Sequence, residues 1–168
     1  HILVRHGMEV LKATRKPGVR ALLVAAGVGD RDLSPSHLGF VIGPRINASG
    51  RLAAASHALE LLLTQDEGRA GELARMLESI NAERADIQNK IWDEVKVKVE
   101  QGMAQGRFQH GVVVGDAGWH EGVVGIVASR VTETFRKPAI VLSLREEDAK
   151  GTLLWFLHLL QAHVGFTV

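Results

Sequence analysis

The sequence predicts an α/β protein made of a helical first region, one long connecting helix and a small mixed α/β lobe. Three observations lead there. Apolar residues recur at roughly helical spacing from Ile2 to Leu63, and a single apolar stripe runs through an otherwise charged segment from Asp66 to Gln101. After Gly102 and Gly106 the period changes to short continuous apolar runs of the kind that form buried strands. With 168 residues, 46% of them hydrophobic and 23% charged, the chain can build one substantial core or two small ones, and is too apolar to stay disordered.

Taken in order, Leu3, Val4, Met8 and Leu11, then Val19, Leu22 and Leu23, mark two short helices parted at Pro17-Gly18. Gly27-Val28-Gly29-Asp30 reads as a loop. Ser34 is an N-cap candidate with Pro35 at the first helical position. Gly43-Pro44 is expected to stop that helix, and a polar turn through Arg45, Asn47, Ser49, Gly50 and Arg51 to lead into a buried helix over Leu52 to Leu63. Ala70, Leu73, Leu77, Ile80, Ile87, Ile91 and Val95 then draw one face of a helix roughly 50 Å long at about 1.5 Å per residue. Arg84 interrupts the stripe, which argues against a regular coiled coil and for a rigid spacer. Gly111 to Gly115 and Pro138 to Leu142 read as strands with a helix over Val123 to Phe135 between them, one βαβ unit with a right-handed crossover expected.

The absence of cysteine excludes disulfide scaffolds, thiolate zinc sites and cysteine nucleophiles. Twenty basic residues against 19 acidic ones give no overall field, so a polyanion site has to be a local cluster. Apolar runs such as Leu153 to Leu157 are far short of a membrane span, and no secretory signal is visible, so a cytoplasmic, membrane-free protein is expected. Because the chain opens on His1 within an apolar pattern, an upstream part is expected to be missing.

Two stretches can carry chemistry. In Gly43-Pro44-Arg45-Ile46-Asn47-Ala48-Ser49-Gly50-Arg51, guanidinium forks and backbone N–H groups could meet phosphate oxygens, or the segment could be a capped turn with solvated arginines. In Gly118-Trp119-His120-Glu121-Gly122-Val123-Val124-Gly125-Ile126-Val127-Ala128-Ser129-Arg130, a strand end meets a helix start, where open α/β sheets bind ligands. There Trp119 could stack on a base and His120 could donate to phosphate or move a proton. The alternative is a packed Trp beside a loop His. Neither a dinucleotide fingerprint nor a phosphate-binding Gly-Lys-Ser/Thr is present. His57 reads as a core or helix-surface residue, His158 and His163 have no carboxylate at ligand spacing, and Asp30 and Asp32 suit a turn. No metal site assembled within the chain is therefore expected.

The two stretches, in this order and separated by a long charged helix, resemble the central and C-terminal part of the RecJ family, single-stranded-DNA-specific 5′→3′ exonucleases of the DHH phosphoesterase superfamily. The resemblance covers Ile2 to Leu144 and is carried by Pro44-Arg45-Ile46-Asn47-Ala48, Gly50-Arg51-Leu52, and the segment from Gly118 to Arg130. It implies residues 1–64 as the C-terminal helical part of the DHH domain, 65–107 as the connecting helix and 108–168 as the DHHA1 domain. It also implies single-stranded DNA and repair proteins as partners, and Mn2+ or Mg2+ in the complete enzyme. Arg45, Asn47, Arg51, Trp119, His120, Ser129, Arg130 and Lys150 would be the nucleic-acid-contacting residues.

The family's Asp-x-Asp, Asp-His-His and later aspartate ligands would lie upstream of His1, so no catalytic or metal residue is expected in this chain, which should bind without cleaving. Lys150-Gly151-Thr152 would open the family's Lys-Gly-Ser segment, and Val164 to Val168 resembles its final strand. The Arg-Ser pair and Gly-Gly-His turn are absent, so the DHHA1 lobe is contracted after residue 150. Two further readings stay open: a non-catalytic nucleic-acid-binding or protein-docking module, and a related phosphoesterase acting on short oligonucleotides.

Overall fold

The computed structural model describes residues 2–29 and 32–144, together with the backbone of Ala149–Gly151. Asp30, Thr152, His158, His163 and the expected final strand at 164–168 lie outside the described residues. The chain divides into two compact units, His1–Arg84 and Ala85–Val168.

The first unit is helical. α1 (Ile2–Lys12) and α2 (Pro17–Ala25) are parted just before Pro17-Gly18, and Pro17 occupies the first turn of α2, where a missing N–H forfeits no helical hydrogen bond. The chain leaves α2 through Gly27, whose φ of 70° lets the Val28 N–H reach back to the Leu23 carbonyl at 3.0 Å. A one-turn α3 (Pro35–His37) follows Ser34, whose N–H donates to His37 Nδ1 at 3.0 Å. Asp32 bridges to Lys12, in keeping with a role in holding the loop.

The next segment departs from the expected stop. A π-helical turn, Leu38–Ile42, closes with Gly43 N–H on the Leu38 carbonyl and runs straight into α4 (Gly43–Leu52). Gly43-Pro44 does not end a helix here. The widened turn and the first-turn position of Pro44 together accommodate the missing N–H, so Arg45, Asn47, Ser49 and Arg51 lie on a helix, not in a turn.

The expected helix from Leu52 to Leu63 is also shorter. Ala53 is extended (φ −139°, ψ −155°), and the buried Ser49 donates its hydroxyl to the Ala54 carbonyl at 2.7 Å, fixing a corner before α5 (Ala55–Leu63). α5 is one-sided: Ala58 and Leu61 are buried, but Leu59 and Leu63 face solvent. The core of this unit gathers Met8, Leu22, Leu23, Val28, Leu33, Ile42 and Leu61 with Ala70, Leu73, Ala74 and Leu77 of α6. Burying each of the large aliphatic side chains contributes about 1.5–3 kcal/mol.

α6 (Glu67–Ala104) is the long helix that the stripe predicts. It buries Ala70, Leu73, Ala74 and Leu77 near its start and Ile91, Trp92, Val95 and Val99 near its end, with no buried residue at 78–90. Ile80 and Ile87 of the stripe are half-buried.

The second unit is the α/β lobe. β1 (Val112–Asp116), α7 (Glu121–Phe135) and β2 (Ala139–Leu144) form the βαβ unit, the strands parallel with Val112 opposite Ala139 and Asp116 opposite Ser143. β3 (Ala149–Gly151) adds antiparallel to β2 and makes the sheet mixed, in the order β1-β2-β3. Val123, Val124, Val127, Ala128 and Val131 of α7 are buried, as are Val112 and Val114 of β1 and Val141 of β2. The alternation of buried and less buried residues along β1 and β2 is that of a sheet with one covered face.

Candidate nucleic-acid interface

The Arg45-to-Arg51 stretch and the 118–130 stretch lie in different units, and each is built separately. On α4 the inward side carries Arg45, Ala48 and Ser49, and the outward side carries Asn47, Gly50 and Arg51. Arg45 is committed internally. Its side chain, 15% exposed, makes a two-pronged pair with Glu78 of α6, Nη2 meeting Oε1 at 3.1 Å and Nε bonding Oε2, and its Nη1 donates to the Val41 carbonyl at 2.7 Å. With both prongs and a backbone acceptor engaged, the fork ties α4 and the π-turn to α6 and is not presented to phosphate.

Asn47 and Arg51 are exposed and one helical turn apart, so their side chains share a face. Arg51 also lies close enough to Arg84 for the two cations to repel. Burial chiefly, and Arg51 next, push the Arg84 guanidinium below the ordinary arginine range. The Arg51 guanidinium and the Asn47 amide thus share the exposed side of α4, in a chain whose net charge is only +1.

In the second unit the loop after β1 is held by α6. Trp119 is 3% exposed, its Nε1 donates to Glu94 Oε2 at 2.7 Å, and the Lys98 ammonium sits 4.9 Å from its ring centroid. Its carbonyl accepts from the buried Ser143 hydroxyl at 2.5 Å. Of the two readings of Trp119, the geometry gives packing: a ring covered in this way has no face for a base.

Lys98 also donates to Asp116 Oδ2 at 2.7 Å and to the Gly115 carbonyl at 3.3 Å, and Asp116 Oδ1 accepts from the Gly118 N–H at 3.1 Å. The Lys98 bond and then the Gly118 N–H hold the Asp116 carboxyl below the usual aspartate range. A carboxylate whose folded pKa is lowered adds stability above its unfolded pKa and loses it as pH falls through the folded value. Acid titration followed by circular dichroism should accordingly find Lys98→Met less acid-sensitive than the parent below about pH 4, the unfolded aspartate value. Parallel acid curves would contradict the pairing.

His120 is exposed at the N-cap of α7, its Nδ1 accepting the Gly122 N–H at 3.1 Å. In the neutral ring this leaves the proton on Nε2, available as a donor. Ser129 donates to the Gly125 carbonyl one turn back, and the Arg130 guanidinium lies 4.3 Å from the Trp92 ring centroid, a cation–π contact inside the unit. Lys150 pairs with Ser143 through the backbone of β3, and its side chain lies outside the described residues. Glu78, Glu94 and Lys98 were not singled out by the sequence. They are ordinary charges on a charged helix, and only their partners, 17 to 33 residues away, give them a role.

Among the described residues no group of three or more His, Asp and Glu side chains could hold a metal ion. The described donors do not fit the paired divalent metals that the family resemblance implies. Nor, among the described residues, is any helix long and apolar enough to cross a membrane.

Compared with known proteins, the chain is 40% identical over 148 residues to the single-stranded-DNA-specific exonuclease RecJ of Bacillus subtilis strain 168, matching 87% of this chain and 18% of that protein. It is 37% identical over 144 residues to the RecJ of Escherichia coli K12, matching 84% of this chain and 25% of that protein. The structure of Thermus thermophilus RecJ in complex with Mn2+ superposes on 84% of this chain and 20% of its own, with a TM-score of 0.73 and 32% identity.

Over this segment the chain matches RecJ exonucleases in both sequence and fold.

A second RecJ structure, an exonuclease bound to manganese, matches 86% of this chain and 37% of its own with a TM-score of 0.70 and 31% identity. Thermus thermophilus RecJ has also been solved with Mg2+, so both metals expected for the complete family enzyme occur in RecJ structures. The chain spans about a quarter or less of the length of these curated RecJ relatives. No protein-family model matches it.

Proposed function

We propose that the chain supplies substrate-gripping parts of a RecJ-type exonuclease that hydrolyses single-stranded DNA from a 5′ end, and that the chain alone binds DNA without cleaving it. On this reading residues 1–64 are the helical tail of the DHH lobe, 65–107 the connecting helix and 108–168 the DHHA1 lobe. The observation that carries the proposal is the outward face of α4, where Asn47 and Arg51 stand one turn apart with Arg84 nearby. Guanidinium groups match phosphate oxygens in geometry and charge. His120 is a second phosphate donor through Nε2, on the other unit. Cleavage is assigned to ligands outside the described residues, since those described form no cluster able to hold a metal. A cytoplasmic location and repair proteins as partners go with this activity.

Measuring single-stranded DNA affinity across a salt series tests the assignment. Arg51→Ala should weaken binding and flatten the slope of log K against log salt by about 0.7, the change for one single-strand phosphate contact. An unchanged slope would remove Arg51 from the interface.

A further inference from the structure

We propose that Phe40 is a base-stacking platform for single-stranded DNA, set beside the phosphate-contacting face of α4. The inference rests on the reading of Asn47 and Arg51 as backbone contacts and adds to it the group that meets the bases. Phe40 lies on the π-helical turn and is 83% exposed. The other described aromatic side chains are placed differently: Trp92 and Trp119 are buried, and Phe108 and Phe135 are half-buried. The π-turn is continuous with α4, so Phe40 precedes Asn47 by about 10 Å along the helix and Arg51 by about 16 Å, all three exposed. Ile42, Ala48 and Ser49 of the same stretch are buried.

Charge favours a nucleic acid as the occupant of this side. Residues 38–52 contain no carboxylate, and with Arg45 paired to Glu78 the exposed arginine is Arg51, so a polyanion passing Arg51 meets no acidic side chain of this segment on its way to Phe40. A phenyl ring has no hydrogen-bonding atom, so it accepts any base by its π-face and suits a strand read without sequence preference. In a duplex the base faces are already stacked. An exposed ring beside a cationic face therefore selects unpaired strands.

The test uses the full chain, a labelled oligo-dT and an abasic oligonucleotide of the same length, which keeps the phosphates and lacks the bases. Phe40→Ala should weaken oligo-dT binding by about 5- to 150-fold, the usual range for one stacked base, with the salt slope and the abasic affinity unchanged. Phe40→Trp should keep the oligo-dT affinity, and its added emission should be quenched by oligo-dT and not by the abasic strand. The proposal is overturned if Phe40→Ala binds oligo-dT like the parent while Arg51→Ala does not, or if it weakens both oligonucleotides equally. It is also overturned if Phe40→Ala alters only self-association, which would assign the ring to a contact between copies. Should the parent chain bind neither oligonucleotide, the phosphate reading falls with it.

Discussion

Trp119→Ala is expected to cost the second unit about 3–5 kcal/mol, the range for removing a buried aromatic side chain. The indole is 3% exposed, and its removal deletes the Glu94 hydrogen bond and the surface under Lys98 together with the packing volume. The same loop carries His120 and the Asp116 contacts, so loosening it should also expose the start of α7. Amide hydrogen exchange localises the effect: protection in β1 and α7 should fall by several orders of magnitude, with α1 to α5 unaffected. Trp119→Phe, which keeps most of the ring, should recover much of the stability and leave DNA affinity intact. A Trp119→Ala protein of normal stability with impaired DNA binding would return this residue to the role of a stacking platform.

In the first unit, Gly18→Ala is expected to be the most damaging single methyl. A Cβ at Gly18 would stand 1.6 Å from the Leu61 carbonyl oxygen, and that atom belongs to the α5 backbone, which cannot rotate away. α2 would have to lift off α5, opening the packing around Leu22 and Leu61, both almost wholly buried. We expect a loss of about 3 kcal/mol, at the upper end of overpacking costs. Gly7→Ala supplies the control. Gly7 is exposed in the middle of α1 with no atom within 4 Å of an added Cβ, so the same change there should stabilise by about 0.5–1 kcal/mol through helix propensity. Denaturant unfolding of the two variants, compared at equal slope, measures both signs. Equal small effects would mean that α2 and α5 are not in this close contact.

The parts of this fold that announce themselves in sequence are those with long, uniform periodicity. The stripe from Ala70 to Val95 locates α6 because apolar residues recur at steps of three, four or seven with Arg84 as the one interruption, and the β-branched runs at Val112 to Val114 and Ile140 to Val141 locate the strands. Gly43-Pro44 misleads because a glycine and a proline in succession normally end a helix, and a π-turn has no period that a residue pattern can register.

The candidate site divides on similar lines. Asn47, Arg51 and His120 are exposed, as their polar character implies. Arg45, Trp119 and Arg130 have the chemistry of binding residues and are used for packing, each through a partner distant in sequence: Glu78 for Arg45, Glu94 and Lys98 for Trp119, Trp92 for Arg130. Trp92, which the stripe left out, is buried and meets both Arg130 and the Phe135 ring, whose centroid lies 6.4 Å from its own.

The central claim, that this chain grips single-stranded DNA without hydrolysing it, is tested most directly by one titration. Labelled single-stranded DNA is bound to the full chain across a salt series in the presence of manganese, and the mixture is assayed for released nucleotides. The account predicts binding that weakens steeply with salt, no nucleotide release, and little affinity for duplex of the same length. Release of nucleotides would reveal a metal site that the described residues do not form. Salt-insensitive binding, or none, would contradict the assignment of the α4 face to the DNA backbone.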